Sequence, residues 1–209
     1  SLNRLEKILG NQEGFLIDYF KLQGIYEQLE NMKSLTKEQQ RNLASINPYY
    51  AKAFEQMKLQ IDAKVAESKV KAGKRIREVP SVSEKKLFDA IMARYKGKVV
   101  MVDLWATWCG PCRGAIASFE PRKNKFKDKD VVFVYITNES SPESKWLEMV
   151  AGIEGEHYRL NRKQWDYICD YFGVDGIPSY VIVDRDGNAR LRNDLRGSGM
   201  LEQELSRML

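Results

Sequence analysis

Residues 79–209 of this 209-residue chain predict an α/β fold, preceded by an all-helical segment over residues 1–78. Three observations carry that division. Residues 99–104, Val-Val-Met-Val-Asp-Leu, are an apolar, β-prone run broken by one acid, as in a central strand covered on both faces. Residues 131–136 repeat the apolar pattern and likewise read as buried on both faces. Before residue 80, by contrast, apolar residues recur at helical spacing throughout.

The helical segment divides at its caps and glycines. Leu2, Leu5, Ile8 and Leu9 form a short amphipathic stretch that Gly10 ends. A second run sets Phe15 or Leu16, Tyr19, Leu22, Ile25 or Tyr26, Leu29 and Met32 on one stripe, with Gly24 interrupting its middle. Thr36 and Gln39 make a capping box for a third helix, and Asn47-Pro48 supplies an N-cap followed by proline at the first helical position. The fourth helix carries Tyr50, Phe54, Met57, Ile61 and Val65 toward Gly73. Glycine or proline breaks every helix before four heptads accumulate, which argues against a long coiled coil. The stripes predict packing against the main domain or a partner subunit, which admits a homodimer through this segment; a substrate-recruiting arm is the sharper alternative.

Charge and cysteine usage exclude several function classes. The net charge of +5 is mild, and its excess gathers in residues 64–77, where Lys64, Lys69, Lys71, Lys74, Arg75 and Arg77 face only Glu67. Such a run suits a solvated helix end, and without interleaved aromatics or a recognisable module nucleic acid is not an expected partner. Three cysteines, two of them in one motif, exclude a disulfide-stapled scaffold, so the fold must hold by packing. No run of about eighteen apolar residues suggests a membrane span. There is no signal peptide or lipidation motif, and because the chain begins at Ser1 a trimmed targeting segment is compatible with it, so the N-terminus does not report localisation.

In the second domain, Val79-Pro80 and a capping box at Ser81 and Glu84 introduce a helix over residues 85–95 that ends at Lys96-Gly97-Lys98. After the central strand a helix runs through Ile116 and Phe119, is expected to kink at Pro121, and continues to Phe126. Residues 137–160 are longer than a simple crossover needs. Ser141-Pro142 begins a helix with Trp146, Leu147 and Val150 inward, and residues 157–160 suit a short strand. Asn161 caps the helix over residues 162–172, where Cys169 lies beside Ile168 and Phe172 and reads as a buried small hydrophobe. His157, the single histidine, falls in loop-like surroundings with no partner and no assigned task. Asp186-Gly187 marks a hairpin turn between strands over 180–183 and 189–192, and Gly197 to Gly199 lead into a last amphipathic helix.

The chemistry concentrates in Trp108-Cys109-Gly110-Pro111-Cys112, directly after the central strand. Two cysteines three apart at a helix start share one turn and can close a small disulfide, the first at the exposed tip and the second tucked behind it. The helix N-terminus favours a thiolate, which makes Cys109 the nucleophile and Cys112 the thiol that resolves a mixed disulfide. Gly110 keeps the backbone open, and Pro111 presets φ without needing a hydrogen bond in the first turn. Asp103, inside the strand, should have a raised pKa and exchange a proton near neutral pH. A zinc site would need two further ligands, and only Cys169 and His157 are available, without paired spacing; no metal and no cofactor is expected.

This motif after a strand with one acid resembles the active site of the thioredoxin superfamily, and the insert between the second strand and the later helix resembles the TlpA/ResA-like branch. The resemblance implies a thioredoxin-like fold with an α/β insert. It implies that Asp103 relays a proton for Cys112, and that in Gly176-Ile177-Pro178 the proline is cis, faces the cysteine pair and, with Trp108, frames a shallow peptide groove. The implied activity is protein-disulfide exchange, in the reductase direction that Gly-Pro between the cysteines suggests. Protein thiols and disulfides would be the substrates and an upstream thiol donor, soluble or membrane-bound, the electron source; the bacterial cell envelope or periplasm is the implied location, with the cytoplasm as the alternative. Two departures stand out. Ala115 and Ala117 occupy positions where many branch members carry Glu and Pro, and residues 131–136 lack the thioredoxin-type basic residue, which leaves Asp103 as the one acid near the pair. A peroxide-reducing enzyme would need a hydroxyl residue where Ala106 stands. A binding module of the same fold, recruiting a partner through the helical arm, is the other alternative.

Overall fold

The computed structural model describes residues 15–30, 35–196 and 200–209. The stretch expected over residues 2–10, the side chains of Phe15, Leu16 and Met32, and the Gly197–Gly199 lead-in lie outside the described residues. The chain divides into two compact units, Ser1–Lys69 and Val70–Leu209.

In the first unit, α1 (Phe15–Glu30) is followed by α2 (Lys37–Ser45) and by α3 (Pro48–Gly73), whose last residues belong to the second unit. Thr36 and Gln39 form the capping box reciprocally, at 3.2 and 2.9 Å. Asn47 Oδ1 accepts the Tyr49 N–H at the start of α3. Ile25, Leu29 and Leu35 form a small core with Leu43, Phe54, Met57 and Ile61 against it, so Ile25 points inward and Tyr26 outward. α1 runs unbroken through Gly24, whose carbonyl accepts a hydrogen bond from the Gln39 amide at 3.0 Å.

The second unit is built on a five-stranded sheet of β1 (Val99–Leu104), β2 (Val131–Asn138), β3 (Glu156–Leu160), β4 (Ser179–Val183) and β5 (Ala189–Leu191), in the order β3-β2-β1-β4-β5. β1 is parallel to β2 and antiparallel to β4; β2 and β3 are parallel, β4 and β5 antiparallel. All six residues of β1 are buried, as its composition requires of a central strand. Alternation then sorts the two faces. Val100, Val102 and Leu104 meet α4 (Glu84–Met92) and α7 (Arg162–Phe172) through Leu87, Ile91 and Ile168. Val99 and Met101 face the other way, toward Phe126, Leu201 and Leu205, the last two on α8 (Met200–Arg207). Between these elements run α5 (Gly110–Phe119), a 3-10 turn over Glu120–Phe126, and α6 (Glu143–Val150), with Trp146, Leu147 and Val150 buried as expected.

Four local expectations are corrected. α4 starts at Glu84 behind Ser83, because Pro80 accepts the Val82 N–H at 3.0 Å and holds residues 81–82 in a turn; the Ser81–Glu84 capping box does not form. β2 is only half-buried over Val131–Phe133, because β3 pairs with it from Val134 onward and leaves the earlier edge open. Cys169 is half-buried, and burial pushes its thiol up to about 11. His157 is not in a loop. It is fully buried in β3, stacked on Tyr135 with ring centroids 4.9 Å apart, and its Nε2 lies 3.1 Å from the Ile153 carbonyl. Its backbone pairs with Arg75 and Arg77 at 2.9 Å each, so residues 75–77 cover the outer edge of β3. Gly155, just before β3, has φ of +136°, and a Cβ there would stand 2.7 Å from the Phe133 carbonyl oxygen, so only glycine admits that close approach.

Candidate functional site

The cysteine motif hangs from the C-terminal end of β1 and is braced from the end of β2. Trp105 is fully buried and its backbone N–H donates to the Ile136 carbonyl at 3.1 Å. The Thr107 N–H donates to Ser141 Oγ at 3.0 Å, and that hydroxyl also pairs with Thr137 Oγ1 at 2.8 Å. Trp108, 62% exposed, anchors only its indole N–H, to Ser140 Oγ at 2.9 Å. Its ring face therefore stays open beside the motif.

Cys109 is the N-cap of α5 and is disulfide-bonded to Cys112, with their Cα atoms 5.3 Å apart. The Cys112 N–H donates to Cys109 Sγ at 3.1 Å, so one of the helix's unpaired first-turn donors already points at that sulfur. Cys109 keeps 4% of its surface exposed and Cys112 none. The order is as expected, but the outer sulfur is less open than an exposed helix tip implied. Pro111 occupies the first turn, and a Cβ at Gly110 would meet nothing within 4 Å.

From far along the chain, the Ile177–Pro178 peptide is cis, and the Ile177 carbonyl oxygen lies 3.8 Å from Cys109 Sγ. Ile177 also packs on the cluster holding Cys109 and Cys112. Gly176 is exposed, with no φ constraint and no atom near its missing Cβ. Pro111 and Pro178 share the rim of a cavity of about 630 Å³ that runs between α5 and α8, lined further by Tyr180, Arg196 and Glu202. Cys109, Cys112, Pro111, Ile177 and Pro178 thus converge on one spot, with Trp108 turned toward Ser140 on its other side.

β1, whose C-terminal end carries the motif, holds an acid with an incomplete environment. Asp103 is 2% exposed, sits in register between Tyr135 of β2 and Tyr180 of β4, and its Oδ1 has no hydrogen-bond partner among the described residues. Burial pushes its carboxyl up to about 8, against the opposing pull of the Lys123 cation. Lys123 is the residue that strand-based expectation missed. No basic side chain occurs in residues 131–136, but the 3-10 turn after α5 delivers this one, 4% exposed. Its Nζ donates to Glu120 at 2.6 Å and to the Glu154 carbonyl at 2.5 Å, and lies 4.7 Å from the Tyr135 ring centre. Burial lowers the Lys123 pKa, while Glu120 holds it charged. The spacing of Glu120 and Lys123 was the available signal in the sequence.

Residues 97–189 match the Thioredoxin-like family model. The chain is similar to the thioredoxin-like protein YneN of Bacillus subtilis, 39% identical over 114 residues that cover 54% of this chain and 65% of YneN. It is similar to the thiol-disulfide oxidoreductase ResA of Bacillus thuringiensis, 24% identical over 92 residues covering 44% and 52%. Among solved structures it resembles the thioredoxin domain of a thiol-disulfide oxidoreductase from Bacteroides vulgatus, with 22% identity, a TM-score of 0.49, and coverage of 56% of this chain and 84% of that one. The chain spans less than two thirds of the length of these curated relatives. Over residues 97–189 the chain is thus similar to thioredoxin-like proteins such as YneN and ResA.

Proposed function

We propose that this protein is a thiol–disulfide oxidoreductase that exchanges the Cys109/Cys112 pair with disulfides of other proteins, in the reducing direction. The observation that carries the reading is the pair at the start of α5 with the Ile177 carbonyl of the cis-proline loop 3.8 Å from the outer sulfur. In the reduced protein, the Cys109 thiolate attacks one sulfur of a substrate disulfide. An S–S bond forms to Cys109, the substrate's own S–S bond breaks, and the displaced sulfur leaves as a thiolate that takes a proton. Cys112 then attacks Cys109 Sγ, closes the Cys109–Cys112 disulfide and releases the second substrate thiol. The substrate gains two electrons and two protons, and an upstream dithiol restores the pair.

Each residue's role follows from its place. The Cys112 N–H and the α5 N-terminus stabilise negative charge on Cys109. Asp103, whose carboxyl burial pushes up to about 8, accepts in its ionised form the proton that Cys112 must lose before it attacks, and returns it to solvent afterwards. Trp108, Gly110, Pro111, Gly176, Ile177 and Pro178 border the surface that a substrate chain crosses, Ile177 offering backbone groups and Gly110 and Gly176 offering room. The reducing direction rests on Gly-Pro between the cysteines, and an extracytoplasmic, cell-envelope setting on the resemblance to the TlpA/ResA-like branch. No helix among the described residues is long and apolar enough to cross a membrane.

The test is reduction of insulin disulfides by the full chain supplied with a dithiol. Wild type is expected to accelerate it, and Cys109→Ser to return the rate to that of the dithiol alone. If wild type does not accelerate the reduction over the dithiol alone, the binding-module reading, whose partner recruitment Cys109→Ser would leave intact, takes its place.

A further inference from the structure

The cis-proline loop sits beside the disulfide without the support a strand would have. Pro178 has no N–H to give a ladder, so the loop's geometry must be set by other groups. Arg196 supplies them. Its Nη2 donates to the Gly176 carbonyl at 3.0 Å and to Ser179 Oγ at 2.6 Å, and the Ser179 hydroxyl itself donates to the Gly176 carbonyl at 2.5 Å. These three bonds close a triangle around Ile177 and Pro178. Both ends of it are anchored. Ser179 is fully buried and pairs with Leu104, the last residue of the strand that leads into the cysteine motif. Arg196 follows a 3-10 turn over Asn193–Leu195 whose Leu195 is buried, and the Arg192 N–H donates to the Tyr180 carbonyl at 2.7 Å. Asp175, 3.6 Å from the guanidinium but 85% exposed, adds little.

We infer that Arg196 is a positioning residue for the proposed exchange, holding the Ile177 backbone in place beside Cys109 for an incoming protein chain. The inference rests on the reading under Proposed function and says where that chain is received. A protein disulfide must align its backbone along Ile177 before its sulfur reaches Cys109. A small aromatic disulfide reaches the sulfur without that alignment. Loss of Arg196 therefore weakens the first and spares the second.

The experiment compares wild type, Arg196→Ala, Arg196→Lys and Ser179→Ala in the full chain. Arg196→Ala is expected to raise KM for insulin about tenfold with kcat within about twofold, since a charged hydrogen-bond donor is lost from the loop and not from the reacting atoms. The rate of the reduced protein with 5,5′-dithiobis(2-nitrobenzoate) should stay within about twofold, because the sulfurs are untouched. Amide exchange over residues 174–179 should quicken about tenfold or more while β1 and β2 keep their protection. Arg196→Lys, with one ammonium to span two acceptors, should recover part of both effects. Equal losses with both disulfides, or loop amide exchange unchanged from wild type, would overturn the inference. If Arg196→Ala does not fold, Ser179→Ala removes one corner of the triangle and is held to the same amide-exchange criterion. A wild type that reduces neither disulfide defeats the functional reading alone, because amide exchange still decides whether Arg196 holds the loop.

Discussion

Two carboxylates of the same sheet have opposite surroundings. Glu156, in β3, accepts Arg77 Nε and Nη2 at 2.8 and 3.0 Å and the Tyr95 hydroxyl at 2.6 Å, with Arg94 3.5 Å away. Burial alone would raise its pKa, but the bonds from Arg77 and Tyr95 outweigh it and hold the carboxylate below its ordinary range. Asp103, two strands away in β1, has Oδ1 without a partner among the described residues, and burial wins. A sheet can accommodate an acid either way. Full pairing fixes Glu156 as a charged tie between β3 and residues 77–95, whereas incomplete pairing leaves the Asp103 carboxyl raised to about 8. The buried acid that is poorly satisfied is the one suited to chemistry.

The sharpest way to break this contrast is to remove the two acids in turn. Asp103→Asn should slow insulin reduction at pH 7 by about 100-fold, the scale of a lost acid–base group, while leaving the fold intact. Glu156→Gln should do the reverse, costing about 1–3 kcal/mol in urea denaturation because Arg77 and Tyr95 lose a charged, half-buried acceptor, with the rate per folded molecule unchanged. If both variants lose activity alone, or both lose stability alone, the contrast fails.

Next comes the pH dependence of stability. Asp103 has a folded pKa raised from 3.8 to about 8, so the folded state binds the proton more tightly than the unfolded chain. Its contribution is present below pH 3.8, is lost as pH rises toward 8, and is level above that. In denaturant titrations of the oxidised protein, the stability of wild type relative to Asp103→Asn should therefore fall by a few kcal/mol across this window, the difference isolating Asp103 from the other titrating groups. Lys123→Met removes the cation that opposes burial. The Asp103 carboxyl signal in carbon-13 NMR should then titrate about one pH unit higher than in wild type.

The smallest effect belongs to His157, whose imidazole burial drives down to about 3. A depressed base contributes stability above its unfolded pKa of 6.5 that is lost as pH falls toward 3. His157→Phe keeps a ring against Tyr135 without a titrating group, and should lower the midpoint of acid unfolding, followed by circular dichroism, by a few tenths of a pH unit.

What was legible in the residues was local. The run 99–104, the Trp-Cys-Gly-Pro-Cys motif and Gly-Ile-Pro each specify their own backbone, and the cis peptide and the bonded pair are found where those patterns put them. What escaped depended on distant chain. His157 looked loop-like because the cover that makes it a buried strand residue comes from residues 75–77. Lys123 belonged to no pattern in the sequence, because Asp103 and the Glu154 carbonyl that it serves lie on other elements. Arg196 carried no motif, and its role follows only from where β4 and the last 3-10 turn bring it. Ser81 satisfied a capping pattern that the turn after Pro80 had already displaced.

The most direct measurement is capture of the exchange intermediate. Reduced Cys112→Ser protein, mixed with a protein disulfide and quenched in acid, should hold the substrate in a mixed disulfide that peptide mass mapping places on Cys109. An adduct on Cys169, whose thiol burial pushes up to about 11, or no adduct at all, would contradict the assignment of Cys109 as the attacking sulfur.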